Sequence, residues 1–293
     1  MASRVLVLSD IDGTLVDHPF LSGSDVSARR SSVERMLKLF RFPHFGLVTG
    51  RRKQGFERFF KEYDVPMIMP SFLAVEFATH LAVCGEWVQW KQQNQNISNL
   101  MRILQNHIEA NSDFGKGPDI IQALQSGTIE TFFMEEKTIC AQIEAHFPSE
   151  ILRRKFFSIV EEIVNPMVAF HGGLVLQSFP SMGRLDVLEA GFVPKCGFWK
   201  TIEDHRDRLG LVPNEQLTVV ALGDELYDSY MFRYLREEIG GKLARIFTVS
   251  VGKLLAHATH RCTHPTQALS LVESIVHAGY VDDGAFANLE VVL

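Results

Sequence analysis

The chain has 293 residues, 46% of them hydrophobic and 22% charged, with a formal net charge of −6. That is enough apolar material for two domains with their own cores and too much for a disordered chain. The acidic balance excludes a general attraction to nucleic acid or anionic membranes, so neither is an expected partner, and any anionic ligand must be met by a local site.

The first element is a short buried strand, Val5-Leu6-Val7-Leu8, which runs into Ser9-Asp10-Ile11-Asp12-Gly13-Thr14-Leu15. Side chains on a strand alternate faces, so an extended chain would aim Asp10 and Asp12 the same way; a turn at Gly13 lets them approach one centre from different sides. Apolar residues at helical spacing predict a helix over 27–42, carried by Val33, Leu37 and Phe40. Phe45-Gly46-Leu47-Val48 reads as a second buried strand ending at Thr49-Gly50-Arg51, residues 54–63 as a helix, and Pro66 to Met69 as a third strand. The strand, helix, strand, helix order implies a parallel sheet with right-handed crossovers.

The rhythm then changes. A strand is expected over 85–89, a helix over 97–110, a polar loop over 115–127 and β-rich runs at 131–134 and 138–141. A helix follows over 153–164, then a hairpin of 167–170 and 174–176 across His171-Gly172-Gly173. Strands on short turns backed by two helices suggest an α+β module inserted into the first domain. Alternation resumes with a helix over 198–208, a buried strand over 217–222, Gly223-Asp224-Glu225 at its end, a helix over 231–239, a strand over 244–249 and a terminal helix over 266–277. The fold class expected is α/β, a Rossmann-like parallel-sheet core at 1–83 and 185–293 with an inserted α+β cap at 84–184.

Cys84, Cys140, Cys196 and Cys262 form no CxxC pair, which predicts reduced thiols rather than a zinc site or a disulfide framework. The segment around Arg4 fits neither a signal nor a transit peptide, and no apolar run approaches the ~20 residues of a membrane helix, so a cytosolic protein is expected.

Three strand ends carry chemical groups: Asp10 with Asp12, Thr49 with Gly50, and Asp224 with Glu225 and Asp228. In an open parallel sheet, ligands collect outside the carboxyl ends of the strands. Clustered carboxylates repel and shift one another's pKa values, so a divalent cation explains their grouping, and oxygen-only ligands favour Mg²⁺ over zinc or copper.

Four segments, Asp10-Ile11-Asp12-Gly13-Thr14, Thr49-Gly50-Arg51, a lysine in the stretch from Lys195, and Gly223 to Asp228, make the chain resemble the haloacid dehalogenase superfamily of phosphohydrolases. The insertion between the second and third segments resembles the subclass with a large α/β cap. Within it, Gly223 to Phe232 and Val249-Ser250-Val251-Gly252 are similar to trehalose-6-phosphate phosphatases, with sucrose-phosphate phosphatases close behind. Glu135-Glu136-Lys137 is similar to their cap motif, which implies contacts from Glu135 and Lys137 to substrate. Tyr227 stands where the family usually has Thr or Asn, and the arginine motif that follows the cap Glu-Lys pair is missing after His146.

The resemblance implies a Mg²⁺-dependent phosphatase for a sugar phosphate, with trehalose 6-phosphate the best single substrate. Asp10 becomes the phosphoryl-accepting nucleophile and Asp12 the acid and base for the leaving oxygen and the water. Asp10, the Asp12 backbone carbonyl, Asp224 and Asp228 become the metal shell, with Glu225 as ligand or support. Thr49, Gly50 and Lys195 become phosphate donors. Lys200 is the alternative to Lys195, and Arg51 either touches substrate or pairs with a carboxylate. Sugar phosphomutase activity and catalytically weak regulatory binding of a sugar phosphate are the competing functions; monomer and dimer are both open.

Overall fold

The computed structural model describes residues 4–17, 26–109, 131–147, 149–179, 183–212, 215–282 and 284–292. The chain forms two compact units, Met1–Trp90 with Val193–Leu293, and Lys91–Phe192.

The first unit is built on a nine-stranded sheet. Its strands in chain order are β1 (Val5–Ser9), β2 (Phe45–Val48), β3 (Phe72–Val75), β4 (His80–Val83), β5 (Glu86–Trp90), β10 (Leu217–Gly223), β11 (Leu243–Val251), β12 (His260–Cys262) and β13 (Glu290–Val291). The spatial order is β13-β12-β11-β10-β1-β2-β3-β4-β5. The central strands pair in parallel, while β4, β5 and β13 add antiparallel edges. The alternation along β1 decides the layering: Val5 and Val7 join one core with α1 (Val26–Leu39), α2 (Lys53–Glu62) and α7 (Pro265–Ala278). Leu6 and Leu8 join the opposite core with α5 (Trp199–Asp204) and α6 (Leu226–Arg233). A strand apolar on every residue is stable only when both faces are covered, each fully buried side chain contributing about 1.5–3 kcal/mol.

The second unit pairs β6 (Thr131–Glu136), β7 (Cys140–His146), β9 (Arg184–Glu189) and β8 (Leu174–Phe179), all antiparallel and in that spatial order. Ala141, Ile143, Ala145, Leu185 and Val187 form its core with residues of α3 (Gln95–Glu109) and α4 (Glu150–His171). The alternate residues Gln142, Glu144, Arg184 and Asp186 fall on the other face of the sheet.

Four sequence expectations need correction. The third strand is Phe72–Val75, while Met67 and Ile68 in the expected run are 49% and 44% exposed. Residues 167–170 are not a hairpin strand but the last turn of α4, which runs on through Pro166. Pro166 is exposed, so the carbonyl it leaves unbonded can be met by water. Helix α6 begins at Leu226 rather than 231 and passes into a π-helical turn, Tyr234–Glu238. The units divide at residues 91 and 192 rather than 84 and 184, because β5 pairs with β4 in the core sheet and β9 runs to Glu189 in the other. The loop expected at 115–127 lies outside the described residues. All four cysteines are free, and among the described residues no helix is long and apolar enough to cross a membrane.

Candidate active site

Register brings the chemical groups together. Ser9 at the end of β1 lies opposite Leu222 of β10 on one side and Leu47 of β2 on the other. The residues that follow all three strands therefore leave the sheet at one edge, and the Asp10 N–H still donates to the Leu222 carbonyl at 3.1 Å. Beyond Asp10 the chain turns sharply, Gly13 N–H bonding to the Val16 carbonyl at 2.7 Å. Gly13 is left-handed at φ +71°, and a β-carbon there would stand 2.2 Å from Asp224 Oδ2. Gly13→Ala should therefore cost about 1–3 kcal/mol by overpacking and push Asp224 aside. Chemical denaturation and phosphate release would read the two effects, and a variant with unchanged stability would refute the close approach.

Asp10, Asp224 and Asp228 present carboxylate oxygens within 4.8 Å of one another. Asp10 is oriented through both oxygens, Oδ1 accepting from the Ile11 N–H at 2.8 Å and Oδ2 from Lys195 Nζ at 2.7 Å. Lys195 Nζ also donates to Asp228 Oδ1 at 2.6 Å. The other oxygen of Asp228 accepts the N–H groups of Asp224 and Glu225 at 3.1 and 3.0 Å, which caps α6 and explains its early start. Asp224 Oδ1 accepts from the Thr14 hydroxyl at 2.8 Å. Of the two lysines, Lys195 is 1% exposed between two acids, whereas Lys200 is exposed in the first turn of α5.

The electrostatics of the cluster follow from this packing. Burial alone would lower Lys195, but the charges of Asp10 and Asp228 outweigh it and hold the ammonium protonated. Burial, then the negative neighbours Glu225, Asp228 and Asp10, push Asp224 well above the ordinary carboxylate range. Burial likewise pushes Asp228 up to about 7, against the pull of Lys195. Three carboxylates against one ammonium leave a formal surplus of two negative charges, the complement of a divalent ion. An all-oxygen donor set fits a hard cation such as Mg²⁺.

The side chain of Asp12 is not in this group. It is held bidentately by Arg51, Nε to Oδ2 at 2.6 Å and the second nitrogen to Oδ1 at 2.7 Å. Arg51 in turn lies over the Phe59 ring at 4.7 Å, and the Asp12 charge more than offsets burial to keep it protonated. Of the two roles open to Arg51, the geometry therefore shows the carboxylate pair. The Arg51 N–H donates to the Thr49 hydroxyl oxygen at 3.2 Å, which orients Thr49 at the end of β2 beside Gly50.

A feature missed from sequence lies between β3 and β4. Glu76, Phe77 and Ala78 are consecutive left-handed residues at φ 50°, 61° and 72°, as is Lys195 at 58°. Each such non-glycine residue costs about 1–2 kcal/mol, a strain that survives only where surrounding contacts enforce it. No glycine or asparagine marks this turn in the sequence. In the second unit, Lys137 is 4% exposed and its ammonium lies 3.2 Å from the Glu135 carboxylate. Its ammonium also donates to Gln142 Oε1 at 2.8 Å, and Arg184 Nε donates to Asp186 at 2.8 Å on the same sheet face.

The fold and this acidic strand-end site define an α/β protein of the two-unit type in which an antiparallel unit interrupts a parallel core. Among solved structures, the chain has the fold of a trehalose-6-phosphate phosphatase related protein, with TM-score 0.59 and 17% identity over 94% of this chain and 98% of that one. It is equally similar to the C-terminal domain of C. albicans trehalose-6-phosphate phosphatase, with TM-score 0.60 and 17% identity over 94% and 93% of the two chains. The Candida albicans trehalose synthase regulatory protein C-terminal domain shares the fold at TM-score 0.56 and 12% identity, over 92% and 93%. No protein-family model matches the sequence, and no curated protein sequence does.

Proposed function

We propose that the chain is a Mg²⁺-dependent phosphomonoesterase for a sugar phosphate, working through an aspartyl-phosphate at Asp10, with trehalose 6-phosphate the best single substrate. The observation that carries this reading is the convergence of Asp10, Asp224 and Asp228 around Lys195 at the carboxyl edge of a parallel sheet. The likeness in fold to trehalose-6-phosphate phosphatase structures supports it.

Asp10, Asp224 and Asp228 would hold the ion, with the backbone carbonyl of Asp12. Bound there, Mg²⁺ would supply charge neutralisation for the phosphoryl oxygens. The chain's own residues account for the rest. Lys195 and the Ile11 N–H fix the Asp10 carboxylate, so its attack on phosphorus needs little reorganisation. As the Asp10 oxygen bonds to phosphorus and the sugar oxygen departs, Asp12 gives that oxygen its proton, then takes one from the water that cleaves the acyl phosphate. Thr49, the Gly50 N–H and Lys195 stabilise the transferring oxygens. Glu135 and Lys137 are the proposed sugar contacts.

A panel of sugar phosphates assayed with Mg²⁺ and with chelator tests the proposal: phosphate release only with metal, strongest for trehalose 6-phosphate, is expected, and no release from any member would reject it. Because Asp224 and Asp228 are raised, protons compete with the cation. Mg²⁺ affinity should fall as pH drops below about 7, with proton release on binding. For the metal-free protein the sign is opposite, since the folded state holds protons that the unfolded chain gives up near ~3.9: stability declines as pH rises from there through about 7. Titration calorimetry in two buffers and pH-dependent melting check both.

One observation favours a second reading, regulatory binding without efficient turnover. Arg51 engages both oxygens of Asp12, so proton delivery requires that contact to part. Magnesium-dependent binding of a phosphate analogue without hydrolysis would select it.

A further inference from the structure

Three backbone segments of the site meet at Phe77. Its N–H donates to the Thr49 carbonyl at 3.1 Å and its carbonyl accepts the Lys195 N–H at 2.8 Å. Its ring is 2% exposed and meets the Tyr227 ring edge-on at 4.9 Å. The same ring fills the space over Gly50, where a β-carbon would come within 2.6 Å of Cε1. The neighbouring Glu76 N–H donates to the Arg51 carbonyl at 2.8 Å, so the turn grips both ends of the Thr49-Gly50-Arg51 segment.

Lys195 is thereby held at two points. Its backbone, itself left-handed, hangs from Phe77, and its ammonium lies between Asp10 and Asp228. Asp228 follows directly on Tyr227 in the first turn of α6, and Tyr227 rests on Phe77. Phe77 thus touches both segments, its carbonyl holding the lysine backbone and its ring packing on the residue just before one of the two acids that receive the ammonium. This gives Tyr227 a physical role as the counter-surface for that ring.

We propose that Phe77 is a positioning residue: seated on Tyr227, it fixes the backbone of Lys195 so that the ammonium bridges Asp10 and Asp228. The inference rests on reading Lys195 as the cation of the active site, but its first test does not require turnover.

A buried ammonium shared by two carboxylates exchanges its protons slowly, and gives a protected lysine NH₃⁺ signal in the ¹⁵N spectrum that Lys195→Met identifies by its loss. Phe77→Leu should shift or broaden that signal and, with substrate, lower kcat roughly 10- to 100-fold while KM stays within about twofold. Tyr227→Asn should do the same, and Tyr227→Phe, which keeps the ring, should not. Phe40→Leu, at another buried phenylalanine that packs on Phe45 and Phe60, should lower the melting temperature but leave the signal and kcat alone. If Phe77→Leu does not fold, the two Tyr227 variants decide.

An unmoved Lys195 signal in Phe77→Leu or Tyr227→Asn would overturn the proposal, as would a wild-type spectrum without such a signal. A signal that moves in a protein releasing no phosphate would leave the positioning role standing and reject the phosphatase reading instead.

Discussion

Asp10→Asn should abolish phosphate release, lowering kcat by at least ~10⁴-fold, with the fold intact. The substitution is nearly isosteric, but its single amide oxygen can accept from only one of the two donors that now meet separate carboxylate oxygens, the Ile11 N–H and Lys195, and the amide NH₂ faces the other. It cannot become an acyl phosphate in the same way, because a neutral amide lacks the nucleophilic anion. Removing one of three crowded carboxylates relieves repulsion while weakening one of the two pairs of Lys195, which keeps Asp228, so the two effects oppose and the melting temperature without metal should shift by only a few degrees. Circular dichroism and a phosphate-release assay with Mg²⁺ separate the two quantities. Turnover retained within tenfold would mean that the phosphoryl group goes elsewhere, and the aspartyl-phosphate mechanism would fall.

Lys195→Met should produce the largest loss of stability of any single change at the site. The lysine is 1% exposed and neutralises two buried acids at 2.7 and 2.6 Å, so its removal strands them in a low-dielectric pocket beside Asp224. Breaking a buried ion pair in this way costs about 3–5 kcal/mol, or roughly 10 °C in melting temperature for a chain of this size. The loss should depend on pH. Without the ammonium, Asp228 rises further above the unfolded ~3.9, so the folded state binds more protons and the deficit shrinks as pH falls from 8 toward 5. Lys200→Met, at an exposed helix position, should stay within about 0.5 kcal/mol of the parent. Equal melting temperatures for the two variants at pH 8 would show that Lys195 does not hold the acids together.

Local pattern was enough for most of the core. Apolar runs at β1, β2 and β10 are visible because strands buried along their whole length are apolar at nearly every residue, and the amphipathic stripe of α2 through Phe56, Phe59 and Phe60 is equally local. The runs at 66–69 and 167–170 depart from the strands their pattern predicts for one reason: a short apolar stretch does not declare its state. Phe72–Val75 becomes the strand by pairing with both β2 and β4, and residues 167–170 extend a helix already nucleated by α4.

The site divides along the same line. Asp10, Asp12, Thr49, Gly50, Asp224 and Asp228 stand out in the sequence because acids and small donors directly after buried strands have few structural reasons to be there. That Asp12 belongs to Arg51, that Lys195 rather than Lys200 reaches Asp10 and Asp228, and that a glycine-free turn at Glu76 to Ala78 carries Lys195 were decided only by tertiary structure. The sequence by itself determined which groups gather at the sheet edge, since strand patterning and chain order act over a few residues. Partner choice among those groups joins residues 39, 185 and 33 positions apart, and such distances are closed by strand register and packing rather than by any local signal.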